Sequence, residues 1–224
     1  MWREQPLKTY NPYFGCLHKC YHNGCWVKKR LAHRIGRGIK CQLCYDFTPH
    51  LHEKRLLKVP REPRIFVGAH CDQFGSWVPT EVIERVLAVC RENPKEMWFF
   101  ETKNPRRYLK FLDQFPENTV LSTTIETNIP YSTEVRGNTL PPKNRYLDFL
   151  QVSKKFPRHV SIEPIMKFDL EILVLWMKVI KPVKISVGYD SLRNCLPEPT
   201  KQKTMTLIKE LEKFTEVERK FIKN

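Results

Sequence analysis

The stretch Glu96-Met97-Trp98-Phe99-Phe100-Glu101-Thr102-Lys103-Asn104-Pro105 holds a complete strand-to-helix junction. An apolar, aromatic run of strand length ends at Thr102. Asn104 takes a capping position, and Pro105 stands where a helix tolerates a missing N–H. Beyond it Tyr108, Leu109, Phe111 and Leu112 continue a helix. The same grammar repeats along the chain. Residues 64–70 are a β-rich run, and Thr80 can cap a helix through Val82, Ile83, Val86, Leu87 and Cys90. Residues 119–126 read as strand and residues 144–153 as helix. Residues 159–165 read as strand, followed by Asp169 capping Leu170–Ile180. Residues 183–189 are the next strand, and Thr200 caps a last helix carrying Met205, Ile208, Leu211 and Phe214.

These are five strand–helix units in series, and six with a further strand within residues 8–13. Apolar strands alternating with amphipathic helices predict a parallel sheet covered by helices. The expected fold is α/β: a partial (β/α)6 TIM-like barrel with a cysteine-rich N-terminal loop region. A full barrel needs eight units and typically ~250 residues, against 224 here. The expected organisation is one domain over residues 1–224, with residues 15–60 a basic, cysteine-rich loop or insertion. Cys90, on the apolar face of its helix, reads as packing.

Hydrophobic residues make up 41% of the chain and charged residues 28%, the balance of an ordinary globular protein. No stretch approaches the ~20 apolar residues of a membrane span, and residues 1–6 hold no apolar signal region. A cytoplasmic protein that does not enter the membrane is expected, so its eight cysteines are not read as disulfides. The net charge is +15, of which residues 1–64, with 14 Lys/Arg and 4 Asp/Glu, carry +10. This asymmetry points to an anionic partner, nucleic acid first. A solvated basic face, or cations balancing an anionic cluster, are the other readings.

Five cysteines fall within the first 44 residues, and they admit two ligand sets. Cys16-x3-Cys20-x4-Cys25, directly after Asn11-Pro12-Tyr13-Phe14-Gly15, could hold a [4Fe–4S] cluster by three thiolates. One iron would stay open to a substrate or cofactor. Alternatively, Cys20-x4-Cys25 and Cys41-x2-Cys44, fifteen residues apart, are close to the spacing of a four-cysteine zinc site. That set leaves Cys16 unexplained and suits a zinc-stabilised, non-catalytic nucleic-acid-binding protein. The two combine if Cys41 and Cys44 belong to a second metal beside an open cluster. His50 and His52 border that pair as further candidate ligands; solvated histidines in a basic loop are the other reading.

The surroundings of the first cysteines resemble the radical SAM superfamily. The matching elements are Asn11-Pro12-Tyr13-Phe14-Gly15-Cys16-x3-Cys20, Thr102-Lys103-Asn104-Pro105, Thr124-Ile125-Glu126-Thr127 and Ser161-Ile162-Glu163-Pro164-Ile165. Their order over roughly residues 8–200 is similar to a branch found in archaea and phages. Cys41-x2-Cys44 followed by Phe47-x-Pro49 and His52 resembles a feature of some of its members. The resemblance implies a [4Fe–4S] cluster on Cys16, Cys20 and Cys25, with S-adenosylmethionine on the open iron. It implies reductive cleavage to methionine and a 5′-deoxyadenosyl radical, hydrogen abstraction from a substrate, and a reductant such as ferredoxin or flavodoxin. The chain departs from the usual Cys-x3-Cys-x2-Cys spacing. Its second gap is Tyr21-His22-Asn23-Gly24, and Trp26 follows Cys25 where an aromatic residue usually precedes it. Cys41 and Cys44 therefore stand as alternative ligands.

In open and closed α/β barrels, functional side chains gather at the carboxyl ends of strands. That rule selects Cys71 and Asp72, Thr102 and Lys103, Thr124 and Glu126, Glu163, and Asp190 with Ser191. The resemblance assigns the Asp72 region to the methionine amino group, though a solvated turn fits equally. Thr124 and Glu126, two apart on a strand, point the same way and could bind ribose hydroxyls, or form an inward polar pair. Glu163 could meet cofactor or substrate, or an Arg or Lys partner. Asp190 could lie near adenine or substrate, and Lys103 could meet a carboxylate.

Overall fold

The computed structural model describes residues 7–223. Residues 1–6, read above as lacking an apolar leader, and residue 224 lie outside that range. Seven parallel strands form one sheet: β1 (Lys8–Tyr10), β4 (Arg64–Val67), β5 (Met97–Thr102), β6 (Thr119–Thr124), β7 (Arg158–Ile162), β8 (Lys184–Val187) and β9 (Glu216–Arg219). Their order in the sheet is their order in the chain. Such a singly wound sheet keeps its crossovers on one side and curls into a half barrel.

The strands alternate with period two. Ile65, Val67, Trp98, Phe100, Val160, Ile162, Ile185 and Val187 face the helical layer and are fully or almost fully buried. The opposite, concave face carries Phe66, Phe99, Glu101, His159, Lys184 and Ser186. The covering helices are α5 (Thr80–Arg91), α7 (Pro142–Gln151), α8 (Leu170–Ile180) and α9 (Lys201–Glu212). In α8, Leu173, Trp176, Met177 and Ile180 recur at helical spacing and are buried, each stabilising the fold by about 1.5–3 kcal/mol. Tyr146 of α7 stacks on Trp176 with ring centroids 4.5 Å apart.

The caps at Asp169 and Thr200 form as expected. Asp169 Oδ1 accepts the Ile172 N–H at 2.9 Å, and Thr200 Oγ1 accepts that of Lys203 at 3.3 Å. Thr80 instead sits inside its helix behind Pro79. The turn after Asn104 is a 3₁₀ helix, Pro105–Lys110, and Asn104 donates to the Phe74 carbonyl rather than capping. Cys90 is core. The seventh strand, β9, goes beyond the six expected. Its Glu216, Glu218 and Arg219 break any apolar run, which an edge strand tolerates.

The segment between β1 and β4 forms its own small assembly. Strand β2 (Tyr13–Phe14) pairs antiparallel with β3 (His50–Leu51). Between them lie α1 (Cys20–Asn23), a π-helix (Val27–Ala32), α2 (His33–Gly38) and α3 (Gln42–Tyr45); α4 (Glu53–Leu56) follows. A short helix α6 (Thr133–Arg136) contacts α1. Gly36 lets α2 lie on α3, since a Cβ there would come within 2.4 Å of the Tyr45 nitrogen. Among the described residues, no helix is long and apolar enough to cross a membrane.

Candidate active site and metal centre

Cys16, Cys20 and Cys25 line one cavity of about 160 Å³ at the carboxyl end of the sheet, with Cys71, Asp72 and Thr124. The loop that carries them is fixed at its start. Gly15 forms a parallel bridge with Cys71, and its N–H reaches the His70 carbonyl at 3.3 Å. Its φ of +90° and a backbone contact that leaves no room for a Cβ both require glycine. Burial pushes the Cys16 thiol well above its ordinary range, and Asp72, Cys20 and Cys25 add to the shift.

Behind the cavity is a buried ion network. Glu126 and Arg145 are each 0% exposed. Arg145 Nη2 donates to Glu126 Oε2 at 2.5 Å, and its Nη1 donates to the Thr124 carbonyl at 2.6 Å. Lys103 donates to the other carboxylate oxygen, as does the Tyr21 hydroxyl at 2.6 Å. The Tyr131 hydroxyl adds a bond of 3.2 Å. Burial alone would raise the Glu126 carboxyl; Arg145 and Lys103 outweigh it and hold the group well below the usual range. Two cations against one carboxylate leave a surplus positive charge beside Cys20. Glu126 therefore lies beyond the end of β6 with both oxygens engaged, and Thr124 alone of that pair lines the cavity.

Asp72 is equally committed. It accepts from His18 (2.7 Å), Thr102 (2.6 Å) and the backbone N–H groups of Phe74 (3.0 Å) and Lys103 (2.9 Å). These bonds tie the loop after β4 to the ends of β5 and of the cysteine loop. Asp190 accepts from the Leu192 N–H at 3.0 Å and from the Asn194 side chain at 3.1 Å. Asn194 in turn donates to the Gly24 carbonyl at 3.3 Å and accepts from Lys29 at 2.6 Å.

A second cleft of about 380 Å³ opens from the first, sharing Cys20, Cys25, Glu101, Lys103 and Thr124 with it. Glu163, Asp190 and Ser191 form its far wall, and Trp26, 51% exposed, stands at it too. Glu163 has no hydrogen-bond partner for its carboxylate among the described residues, and burial raises its pKa. Glu101, which the sequence reading passed over, also has a pKa raised by burial. Both carboxylates face a third cavity of about 200 Å³ on the concave face of the sheet. There a hydrogen-bonded ladder crosses five strands. Ser122 Oγ lies 2.9 Å from Glu101 and 2.8 Å from His159 Nδ1. Ser186 Oγ lies 3.0 Å from His159 Nε2 and 2.9 Å from Glu218. Burial lowers the His159 pKa to about 3, leaving a neutral imidazole.

Cys41 and Cys44 join neither cavity's cysteine set. Their sulfurs converge with the ring nitrogens of His50 and His52, all four ligand atoms within 4.8 Å of one another. The four-cysteine set Cys20, Cys25, Cys41 and Cys44 is therefore not what the fold assembles. The histidines complete the Cys41 and Cys44 pair because the β2–β3 ribbon swings them back over α3. Burial, with Arg55 and His50 adding to it, lowers the His52 pKa to about 4, so its ring is neutral.

A family model described as "Protein of unknown function (DUF5131)" matches residues 2–180. A search of curated protein sequences finds no significant match. Among solved structures, a spore photoproduct lyase mutant with bound AdoMet and dinucleoside spore photoproduct aligns with 92% of this chain at 12% identity and a TM-score of 0.55. A second mutant of that lyase aligns with 99% of the chain at 9% identity and a TM-score of 0.61. Streptococcus suis SuiB bound to precursor peptide SuiA aligns with 96% of the chain at 12% identity and a TM-score of 0.57. The alignments cover 61%, 80% and 49% of those chains respectively. At such identities the likeness is one of fold.

Proposed function

The chain belongs to the DUF5131 family, and from that premise we propose that it is a radical SAM enzyme. On motif order alone we place it in the superfamily's archaeal and phage branch. The observation that carries the reading is the shared cavity of Cys16, Cys20 and Cys25 at the carboxyl end of a curled parallel sheet, continuous with a larger acidic cleft. When bound, a [4Fe–4S] cluster with S-adenosylmethionine supplies reductive cleavage of the sulfonium and hydrogen abstraction.

The residues present fit these groups. Three thiolates lining one cavity would hold three irons of a four-iron cluster, leaving the fourth open to S-adenosylmethionine. The surplus charge of Lys103 and Arg145 over Glu126 would offset an anionic cluster in that cavity. Glu163 and Glu101 would offer carboxylates, and Thr124 a hydroxyl, to the methionine amino group and the ribose of S-adenosylmethionine. Asp72, Glu126 and Asp190 are positioning residues, since their oxygens already hold the three loops that shape the cleft. The concave cavity beyond Glu101 and Glu163 is the natural seat of the atom that loses hydrogen.

For the substrate we take nucleic acid. Lys28, Arg30, Arg34, Arg37 and Lys40 are all exposed on the π-helix and α2 and the turn after it, next to the cleft wall formed by Trp26 and Val27. This face also suits docking of an acidic reductant such as ferredoxin or flavodoxin, and the whole chemistry belongs to the cytoplasm. The test is anaerobic purification followed by iron, sulfide and product analysis. The expected result is brown protein with about four irons per chain that forms 5′-deoxyadenosine when given dithionite and S-adenosylmethionine. Colourless protein carrying zinc and no sulfide would overturn the proposal.

A further inference from the structure

We propose that Cys41, Cys44, His50 and His52 bind one structural zinc ion, separate from the cluster, which locks the cysteine loop to the β2–β3 ribbon. The local folding of each ligand pair brings this about. Cys41 and Cys44 stand three apart around the first turn of α3, on one face. His50 and His52 stand two apart on extended chain, so both rings project to one side. The result is a compact cage. Cys41 Sγ and Cys44 Sγ each lie 3.5 Å from His50 Nε2. Cys44 Sγ lies 3.0 Å from His52 Nε2, and the two Nε2 atoms are 3.0 Å apart.

Zinc in tetrahedral geometry, with bonds of ~2.3 Å to sulfur and ~2.0–2.1 Å to nitrogen, separates its ligand atoms by about 3.3–3.8 Å. The cage needs to expand only slightly to hold it. The tautomer is already set: His50 Nδ1 lies 2.7 Å from the Thr48 carbonyl, so Nδ1 carries the proton and the Nε2 lone pair points inward. Two thiolates with two imidazoles select a borderline-soft ion over magnesium or calcium. With four side-chain ligands the ion has no open position, which makes it structural rather than catalytic.

The site stands over a small hydrophobic core, far smaller than the one under the main sheet. The apolar cluster under it comprises only Phe14, Val27, Leu31, Ala32, Cys44 and Phe47 as buried members, too few to fix such a segment alone. Its lever on the rest of the molecule is short. His50 pairs with Phe14 across the ribbon. A Cβ on Gly15 would meet the Thr48 carbonyl carbon at 2.5 Å. Cys16 is the next residue.

Metal analysis tests the assignment independently of the cluster. The Cys16→Ala/Cys20→Ala/Cys25→Ala protein should keep about one zinc per chain while losing its iron. Replacing zinc by cobalt(II) in that protein should give the visible absorption of a tetrahedral thiolate site. In the otherwise native chain, Cys44→Ala or His52→Ala should lower zinc at least tenfold. Should these variants fail to fold, the cobalt spectrum and zinc content of the triple variant still decide. Zinc below a tenth of an equivalent in the triple variant, or an octahedral cobalt spectrum, would overturn the proposal.

Discussion

The Tyr21 hydroxyl donates to Glu126 Oε1 at 2.6 Å across 105 positions of sequence. This bond ties α1, which begins at Cys20 and ends shortly before Cys25, to the residue just beyond the end of β6. Tyr21 adopts a φ of +58°, a conformation costly for a non-glycine residue, so the bond helps to keep the helix in place. Tyr21→Phe should lower stability to denaturant by about 1.5–3 kcal/mol, the worth of a hydrogen bond to a charged group. It should also quicken iron loss on exposure to a chelator. An unchanged unfolding midpoint with unchanged iron release would show that the bond anchors nothing.

The ion pair behind it is far more sensitive. Arg145→Met removes the stronger partner of a fully buried carboxylate, a change that typically costs about 3–5 kcal/mol. Glu126→Gln bears on pH. The Glu126 pKa is depressed in the folded protein, so its contribution is present above the unfolded pKa of ~4.3 and is lost as pH falls toward the lower folded value. The wild type should therefore lose stability in the acid range below about pH 4, and Glu126→Gln should lose less there. Parallel acid limbs in the two proteins would contradict this.

Glu101 runs the other way. Burial raises its pKa despite the hydrogen bond from Ser122. Its folded form binds a proton more readily than its unfolded form, so it weakens the fold as pH rises above ~4.3. Glu101→Gln should stabilise the protein at pH 7 while reducing turnover, which separates a functional carboxylate from a structural one. Loss of stability at pH 7 would mean that the charged group is satisfied in a way its surroundings do not reveal.

Cys71 borders the same cavity as Cys16, Cys20 and Cys25, yet the open-iron account gives it no ligand role. Cys71→Ala should keep its iron and sulfide and still bind S-adenosylmethionine, whereas alanine at Cys16, Cys20 or Cys25 should leave the protein without a stable cluster. Iron loss in Cys71→Ala equal to that in Cys20→Ala would make it a fourth ligand.

The free carboxylate of Glu163 leads to a prediction on binding. Glu163→Gln should weaken S-adenosylmethionine binding about tenfold, equivalent to ~1.4 kcal/mol, with the cluster spectrum unchanged. Isothermal titration under anaerobic conditions measures it, and equal affinity in the variant would remove Glu163 from the cofactor's contacts.

Much of this arrangement is legible in the sequence, and the illegible parts have physical reasons. Strand–helix alternation, the caps at Asp169 and Thr200, and the clustering of residues at strand ends are local signals, and local patterns report them. Strand β9 escapes because its charged residues serve a polar concave face and an exposed edge. Glu101 sits inside a run that looks uniformly apolar; the alternation of Trp98, Phe100 and Thr102 against Phe99 and Glu101 was the available clue. Arg145 offers none, because a cation in an amphipathic helix looks solvated until its distant carboxylate is known. His50 and His52 are legible as candidates from their nearness to Cys41 and Cys44 in the sequence; that the four side chains converge depends on a ribbon that two-residue strands barely announce.

The most direct test of the central claim is the electron paramagnetic resonance spectrum of the reduced, anaerobic protein with and without S-adenosylmethionine. An iron lacking a protein ligand predicts a reduced four-iron signal whose g values shift on adding the cofactor, with the signal lost in Cys16→Ala. A four-iron signal indifferent to S-adenosylmethionine, or no signal in protein that contains only zinc, would contradict it.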